Sequence, residues 1–231
     1  MKQDADVALN PLLPNYSRID WDLDSANFER YERYWQEHPR GLIPQDIFNT
    51  SQKIWLELGA GTGDFFRRLA GDYPHIQFIA VERCRFRGQR LVRRTRRAML
   101  PNLTGIRGNL IPALLAGIPS ESLQRIYILY PCPFPKTSQR KNRWYLHPAL
   151  PHMVRVLEKK GLLIWASDQA FYIDEAHYVC TNHHHLNPMS FGELTPNEWN
   201  NLSSTPLGRT KFERTFLSSS SPCYELIVQK S

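Results

Sequence analysis

The residues best equipped for chemistry follow a short apolar run: Glu57-Leu58-Gly59-Ala60-Gly61-Thr62-Gly63-Asp64. Gly59, Gly61 and Gly63 permit positive φ and let the backbone approach a ligand closely. The helix start expected after them favours electron-rich groups. The spacing is GxGxG with Glu57 just ahead of it, whereas dinucleotide sites carry GxGxxG. A second apolar run, Phe78-Ile79-Ala80-Val81, closes on Glu82, and a carboxylate there can accept hydrogen bonds from ribose hydroxyls. Glu57 would repel a pyrophosphate but suits a cationic amino-acid end. S-adenosylmethionine has a ribose, a cationic end and no phosphate, so the arrangement favours a methyl donor over NAD. The plainer alternative is a tight turn beside a solvated glutamate.

Two further segments carry chemistry. Tyr130-Pro131-Cys132-Pro133-Phe134-Pro135-Lys136 follows a predicted strand, with Arg140-Lys141-Asn142-Arg143 close behind. Prolines fix φ, and ligands of open α/β sheets bind outside the carboxyl ends of strands. Such a loop can hold a planar base against the donor, or it can simply close the sheet. The second segment crowds Arg83, Arg85, Arg87, Arg90, Arg93, Arg94, Arg96 and Arg97 into one helix, without acidic residues at i+4. Like charges at that density repel unless an anion neutralises them. Phosphate contact from Arg93, Arg94 and Arg97 is the expectation, against a solvated face with distant acidic partners. His183-His184-His185 carries no metal-ligand spacing, and Cys84, Cys132, Cys180 and Cys223 form no CxxC pair, so no metal is expected.

These pieces together resemble the tRNA (guanine-N7)-methyltransferase family. That family carries a motif like F-P-D-P-W-x-K followed by a basic cluster, matched here by YPCPFPK and RKNR. ELGAGTGD resembles its donor loop, Ser167-Asp168 its T-D pair, and Thr210-Lys211-Phe212-Glu213-Arg214 its T-x-F-E signature. The resemblance implies a class I S-adenosylmethionine-dependent methyltransferase fold. It implies donor binding at Glu57, Gly59, Gly61, Gly63, Glu82 and Asn109. It also implies substrate contacts at Lys136, Asp168, Thr210, Lys211, Phe212 and Glu213. The catalytic or donor-contacting Asp of the proline loop is Cys132 here, leaving Asp168 and Glu213 as the carboxylates nearest the chemistry. The function implied is N7-methylguanosine formation in tRNA. The alternatives are a relative that binds donor or RNA without turnover, and a methyltransferase for another substrate.

Elements must hold these residues in place. Alternating apolar runs and helical patterns predict strands near 54–58, 78–81, 103–107, 123–130 and 162–166. Helices are predicted near 64–71, 86–100, 111–116, 149–157 and 171–180. This is a Rossmann-like, mostly parallel sheet with helices on both faces. Two last strands, near 212–217 and 224–228, are expected to form a C-terminal antiparallel hairpin around Ser218–Pro222. Residues 1–50 are expected to form an N-terminal extension with a helix at Phe28–Trp35, and residues 51–231 the methyltransferase domain. The 231 residues are 42% hydrophobic and 22% charged, which fits one globular core. No run of about 18 apolar residues occurs, so a soluble, cytoplasmic protein is expected. The net charge of +7 fits a polyanionic partner such as tRNA or another structured RNA.

Overall fold

The computed structural model describes residues 43–109, 111, 117–194 and 208–231. The elements are β1 (Lys53–Leu58), α1 (Asp64–Asp72), β2 (Ile76–Glu82), α2 (Arg85–Ala98), β3 (Leu103–Arg107) and β4 (Leu123–Leu129). Then follow α3 (Ala149–Val156), β5 (Leu157–Ser167), α4 (Ala170–Asn182), β6 (Asn187–Glu193), α5 (Lys211–Ser218) and β7 (Tyr224–Gln229). The strands form one sheet in the order β3-β2-β1-β4-β5-β7-β6. β1 to β5 pair in parallel, and β7 inserts antiparallel between β5 and β6.

Central strands read as continuous apolar runs because both of their faces are covered. Successive side chains of β1 point to opposite faces. Ile54, Leu56 and Leu58 therefore join one core with Leu150, Met153, Tyr172 and Ile173 of α3 and α4. Trp55 joins the other core with Phe65, Phe66 and Leu69 of α1 and Leu91 of α2. Phe66 meets Phe78 and Tyr127 edge-on, at centroid distances of 5.0 and 5.5 Å, an arrangement that aromatic quadrupoles favour. α2 buries just Gly88, Leu91 and Thr95, a narrow stripe at helical spacing, and leaves its arginine-rich remainder outward.

The expected α/β fold is present, with differences at the C-terminal end. Lys211–Ser218 is a helix, not a strand. Thr210 caps it by accepting from the Glu213 N–H at 3.1 Å, and this T-x-x-E start outweighs the β-branched and aromatic residues that follow. Ser218–Pro222 therefore links helix to strand, and the expected C-terminal antiparallel pairing is present but made by β7 with β6 and β5 instead of with 212–217. β5 begins at Leu157, where a helix was expected to end. The helices expected at 28–35 and 111–116 fall wholly or mainly outside the described residues. Ile43 is buried, and Ile47 and Phe48 pack against the core it joins. No helix among the described residues is long and apolar enough to cross a membrane.

Candidate functional site

The expected site residues converge on the carboxyl ends of the parallel strands. Glu57 sits near the end of β1, Glu82 ends β2, Asn109 follows β3, the proline loop follows β4, and Asp168 follows β5. The Gly59 and Ala60 N–H groups both donate to the Val81 carbonyl, at 2.9 and 3.0 Å, which ties the glycine turn to β2. Gly59, Gly61 and Gly63 have φ of 82°, 58° and 77°, the left-handed region that glycine enters without strain. A Cβ on Gly59 or Gly61 would meet nothing within 4 Å, so the turn faces open space. A Cβ on Gly63 would collide with Leu91, so this glycine lets the turn close on α2.

Beneath the turn lies Glu57, 3% exposed. Its Oε2 is buried without a hydrogen-bond partner. Burial pushes its carboxyl up to about 8, helped by the negative charges of Asp64, Glu82 and Glu213. An unsatisfied buried carboxylate oxygen costs free energy unless a donor or cation meets it. The ammonium end of S-adenosylmethionine is such a group, and the glycine turn leaves room for it. The residues present thus fit this donor.

Glu82 is equally buried. Its Oε2 accepts from the Gly61 N–H at 2.9 Å and its Oε1 from the Cys84 N–H at 2.7 Å. It therefore locks the glycine turn to the start of α2, and Oε2 keeps a further lone pair for a ligand hydroxyl. Arg87 lies 3.5 Å from Oε1. Arg94 donates to Asp64 at 2.5 Å and to the Thr62 hydroxyl at 3.2 Å, and this pairing holds the Asp64 carboxyl below its usual range despite partial burial. Two arginines of the basic helix thus pair with carboxylates beside the glycine turn. Arg94, expected to meet phosphate alongside Arg93 and Arg97, faces an acidic partner distant in sequence.

The proline loop is held from below. The Arg143 guanidinium donates to the Phe134 carbonyl at 2.9 and 3.1 Å and to Glu175 of α4 at 2.5 Å. The Tyr145 hydroxyl donates to the same Glu175 oxygen at 2.7 Å. Arg143 is buried, so the last arginine of RKNR is a staple, not a surface contact. Cys132 and Lys136 remain exposed on the loop. Asp168, half-buried, accepts from the Gln169 side chain at 2.6 Å.

α5 closes the remaining side. The ring of Tyr130 lies almost parallel to that of Phe212, 19° between planes and 6.3 Å between centroids, and touches Phe216 at 5.9 Å. Burial pushes the Tyr130 hydroxyl far up, and the Glu213 charge adds to it. Glu213 is fully buried. It accepts the Arg209 backbone N–H and Nε at 2.5 and 2.8 Å, while Arg209 also pairs with Glu225 of β7. Burial alone would lower the Arg209 pKa, but the two carboxylates raise it. Arg68 of α1 donates to the Gly208 and Arg209 carbonyls at 2.7 and 2.6 Å. Thr210 serves as the helix cap, and Lys211 and Phe212 are exposed. The sequence alone left Tyr130, Arg143, Glu175, Tyr145 and the Arg209–Glu225 pair unassigned. Glu213 apart, their partners lie far along the chain, and no local pattern marks such pairs. Among the described residues no group of His, Cys, Asp and Glu is arranged to hold a metal.

Comparison with known proteins gives a consistent picture. Residues 51–226 match a family described as "Putative methyltransferase". A Thermotoga maritima protein named tRNA (guanine-N(7)-)-methyltransferase is 28% identical over 156 residues, covering 68% of this chain and 47% of that protein. A Chlamydia caviae protein of the same name is 29% identical over 145 residues, covering 62% and 65% respectively. The matched region thus spans between about half and two thirds of these relatives. The crystal structure of a 30S ribosomal A1408 methyltransferase from an uncultured bacterium superposes with a TM-score of 0.56 at 16% identity, covering 82% of this chain and 95% of that one. At that identity the likeness speaks for the fold, which is the class I methyltransferase fold.

Proposed function

The chain belongs to the methyltransferase family that its residues 51–226 match, and on that premise we propose that it is an S-adenosylmethionine-dependent tRNA (guanine-N7)-methyltransferase. The observation that carries this is the buried Glu57 carboxylate, one oxygen unsatisfied, beneath a turn of three left-handed glycines. The names of the Thermotoga and Chlamydia relatives support the choice of substrate.

S-adenosylmethionine supplies an electrophilic methyl group on a cationic sulfur. Glu57 meets the cationic amino-acid end, and Gly59, Gly61 and Gly63 let the backbone lie close. The remaining lone pair of Glu82 Oε2 accepts a ribose hydroxyl, and Asn109, just after β3, is a further donor contact. Guanine N7 has a free lone pair, so no residue has to remove a proton before attack. Rate then comes from positioning for an in-line displacement. The base becomes cationic as the methyl arrives, and a preorganised carboxylate stabilises that charge. Asp168, half-open at the end of β5, takes this role. Glu213, sealed against Arg209, acts as a positioning residue that fixes the start of α5. Lys136, Thr210, Lys211 and Phe212 line the rim where the nucleotide enters, and the basic helix α2 meets the RNA backbone. An RNA substrate of this kind goes with a cytoplasmic location.

A second reading has one observation in its favour. Cys132 stands exposed at the place of the resembled motif's Asp, as in a donor-binding relative without turnover. Calorimetric titration with S-adenosylmethionine and labelling of total tRNA separate the two. The proposal expects both binding and label, the second reading binding alone. Glu82→Ala should weaken donor binding by about 1–3 kcal/mol, the range for hydrogen bonds to a charged group. Unchanged affinity in the folded variant would remove the ribose assignment.

A further inference from the structure

The arginines of α2 divide into two sets. At about 100° per residue along a helix, Arg87 and Arg94 share the side that faces the donor turn, where they meet Glu82 and Asp64. Arg96 points about 170° away from them, Arg93 about 110° and Arg97 about 70°. These three line an open depression of about 420 Å³ with Gln89, Val92 and Arg107. Arg107 comes from the end of β3, the edge strand of the sheet. Its aliphatic stem passes over Gly88, where a Cβ would come within 2.5 Å of the Arg107 Cγ. The missing side chain at Gly88 thus lets the fourth guanidinium join the three of the helix.

No acidic residue lines the depression. Among the described residues Arg93, Arg96, Arg97 and Arg107 have no ion-pair partner, in contrast to Arg87 and Arg94. Four like charges gathered without an anion repel one another, and the arginine fork matches phosphate oxygens in a bidentate fashion. We propose that Arg93, Arg96, Arg97 and Arg107 form an anchor for the RNA phosphodiester backbone at the β3 edge, separate from the pocket where the methyl group is transferred. The inference rests on the RNA substrate proposed above and adds to it which cations grip the backbone and which serve the donor. A substrate RNA then touches the protein at two places, the target nucleotide at the proline loop and a backbone stretch at the β3 edge.

The test is binding of unfractionated tRNA to the full chain, followed by fluorescence anisotropy over a series of salt concentrations. The quadruple variant R93Q/R96Q/R97Q/R107Q should bind about tenfold or more weakly at low salt. Its log–log salt slope should fall by roughly 3–4 units, since each of the four lost phosphate contacts removes a little under one unit. The lysine version, R93K/R96K/R97K/R107K, should retain the slope because it retains the charge. Arg94→Gln should leave the slope unchanged while weakening donor binding. A thermal melt and an unchanged donor affinity establish that the quadruple variant is folded. Equal slopes for wild type and the folded quadruple glutamine variant would overturn the anchor while leaving the RNA substrate standing. Absence of tRNA binding by the wild type would overturn the substrate itself.

Discussion

Stability and donor binding meet at Glu57. Its carboxyl is pushed up to about 8, chiefly by burial. A carboxyl raised above its unfolded value makes the folded state bind the extra proton. Its contribution to stability is full below the unfolded value of 4.5 and is lost as pH rises through about 8. The steepest loss is about 1.4 kcal/mol per pH unit. Glu57→Gln, which cannot ionise, should flatten that part of the profile and be the more stable protein at pH 8 and above. Thermal melts of both proteins from pH 5 to 9 check this, and parallel profiles would contradict it. The same residue should make donor affinity rise between pH 6 and 8, because a cationic ligand favours the ionised carboxylate. Stability and binding thus pull in opposite directions at one side chain. Cys132 gives a second prediction at this scale. N7 needs no proton removed, so the exposed thiol has no transfer to perform. Cys132→Ser should keep most of the activity, and Cys132→Asp should hold or raise it by aiming a carboxylate at the developing charge. A dead Cys132→Ser beside an active wild type would give the thiol a chemical role denied it here.

At the scale of elements, the site depends on clamps between segments far apart in sequence. Arg143 joins the proline loop to α4 through Glu175, with both side chains about 5% exposed. Removing one partner of a buried pair strands the other charge, typically at about 3–5 kcal/mol. Arg143→Ala should approach that loss in urea unfolding and should also free the Phe134 carbonyl, to which Arg143 donates. A change below about 0.5 kcal/mol would show that the staple does not hold the loop. Such clamps explain what the sequence left illegible. The glycine turn and Glu82 were readable because strand, turn, helix and acid follow one another locally. The Arg143–Glu175 pair spans 32 positions and leaves no spacing signature. RKNR could be matched only to a basic cluster, and nothing local marks its last arginine as buried. α5 was mistaken for a strand because Phe212, Thr215 and Phe216 suit a sheet. Thr210 and Glu213 already spelled a capping box, and that local evidence was the better guide. β6 escaped notice because Pro188 and Gly192 interrupt it, and pairing with β7 stabilises it more than its own residues do.

In the whole molecule, a sheet with helices on both faces brings the carboxyl ends of its parallel strands to one edge, and β1 to β5 each end there in a residue or loop of the candidate site. Ligand binding there should stabilise the fold as a unit. The demethylated donor at about 100 times its Kd should contribute near 2.7 kcal/mol. For a chain of this size that raises Tm by about 5–10 °C. No shift in wild type would argue against a donor site. The transfer itself is read by nucleoside analysis of total tRNA after incubation with S-adenosylmethionine labelled in its methyl group. Wild type should place the label in N7-methylguanosine, and Glu57→Gln and Asp168→Ala should each reduce it, the latter by on the order of 10²–10³ in kcat. Label confined to another nucleoside, or no label from a wild type that binds the donor, would rule out guanine-N7 transfer by this protein.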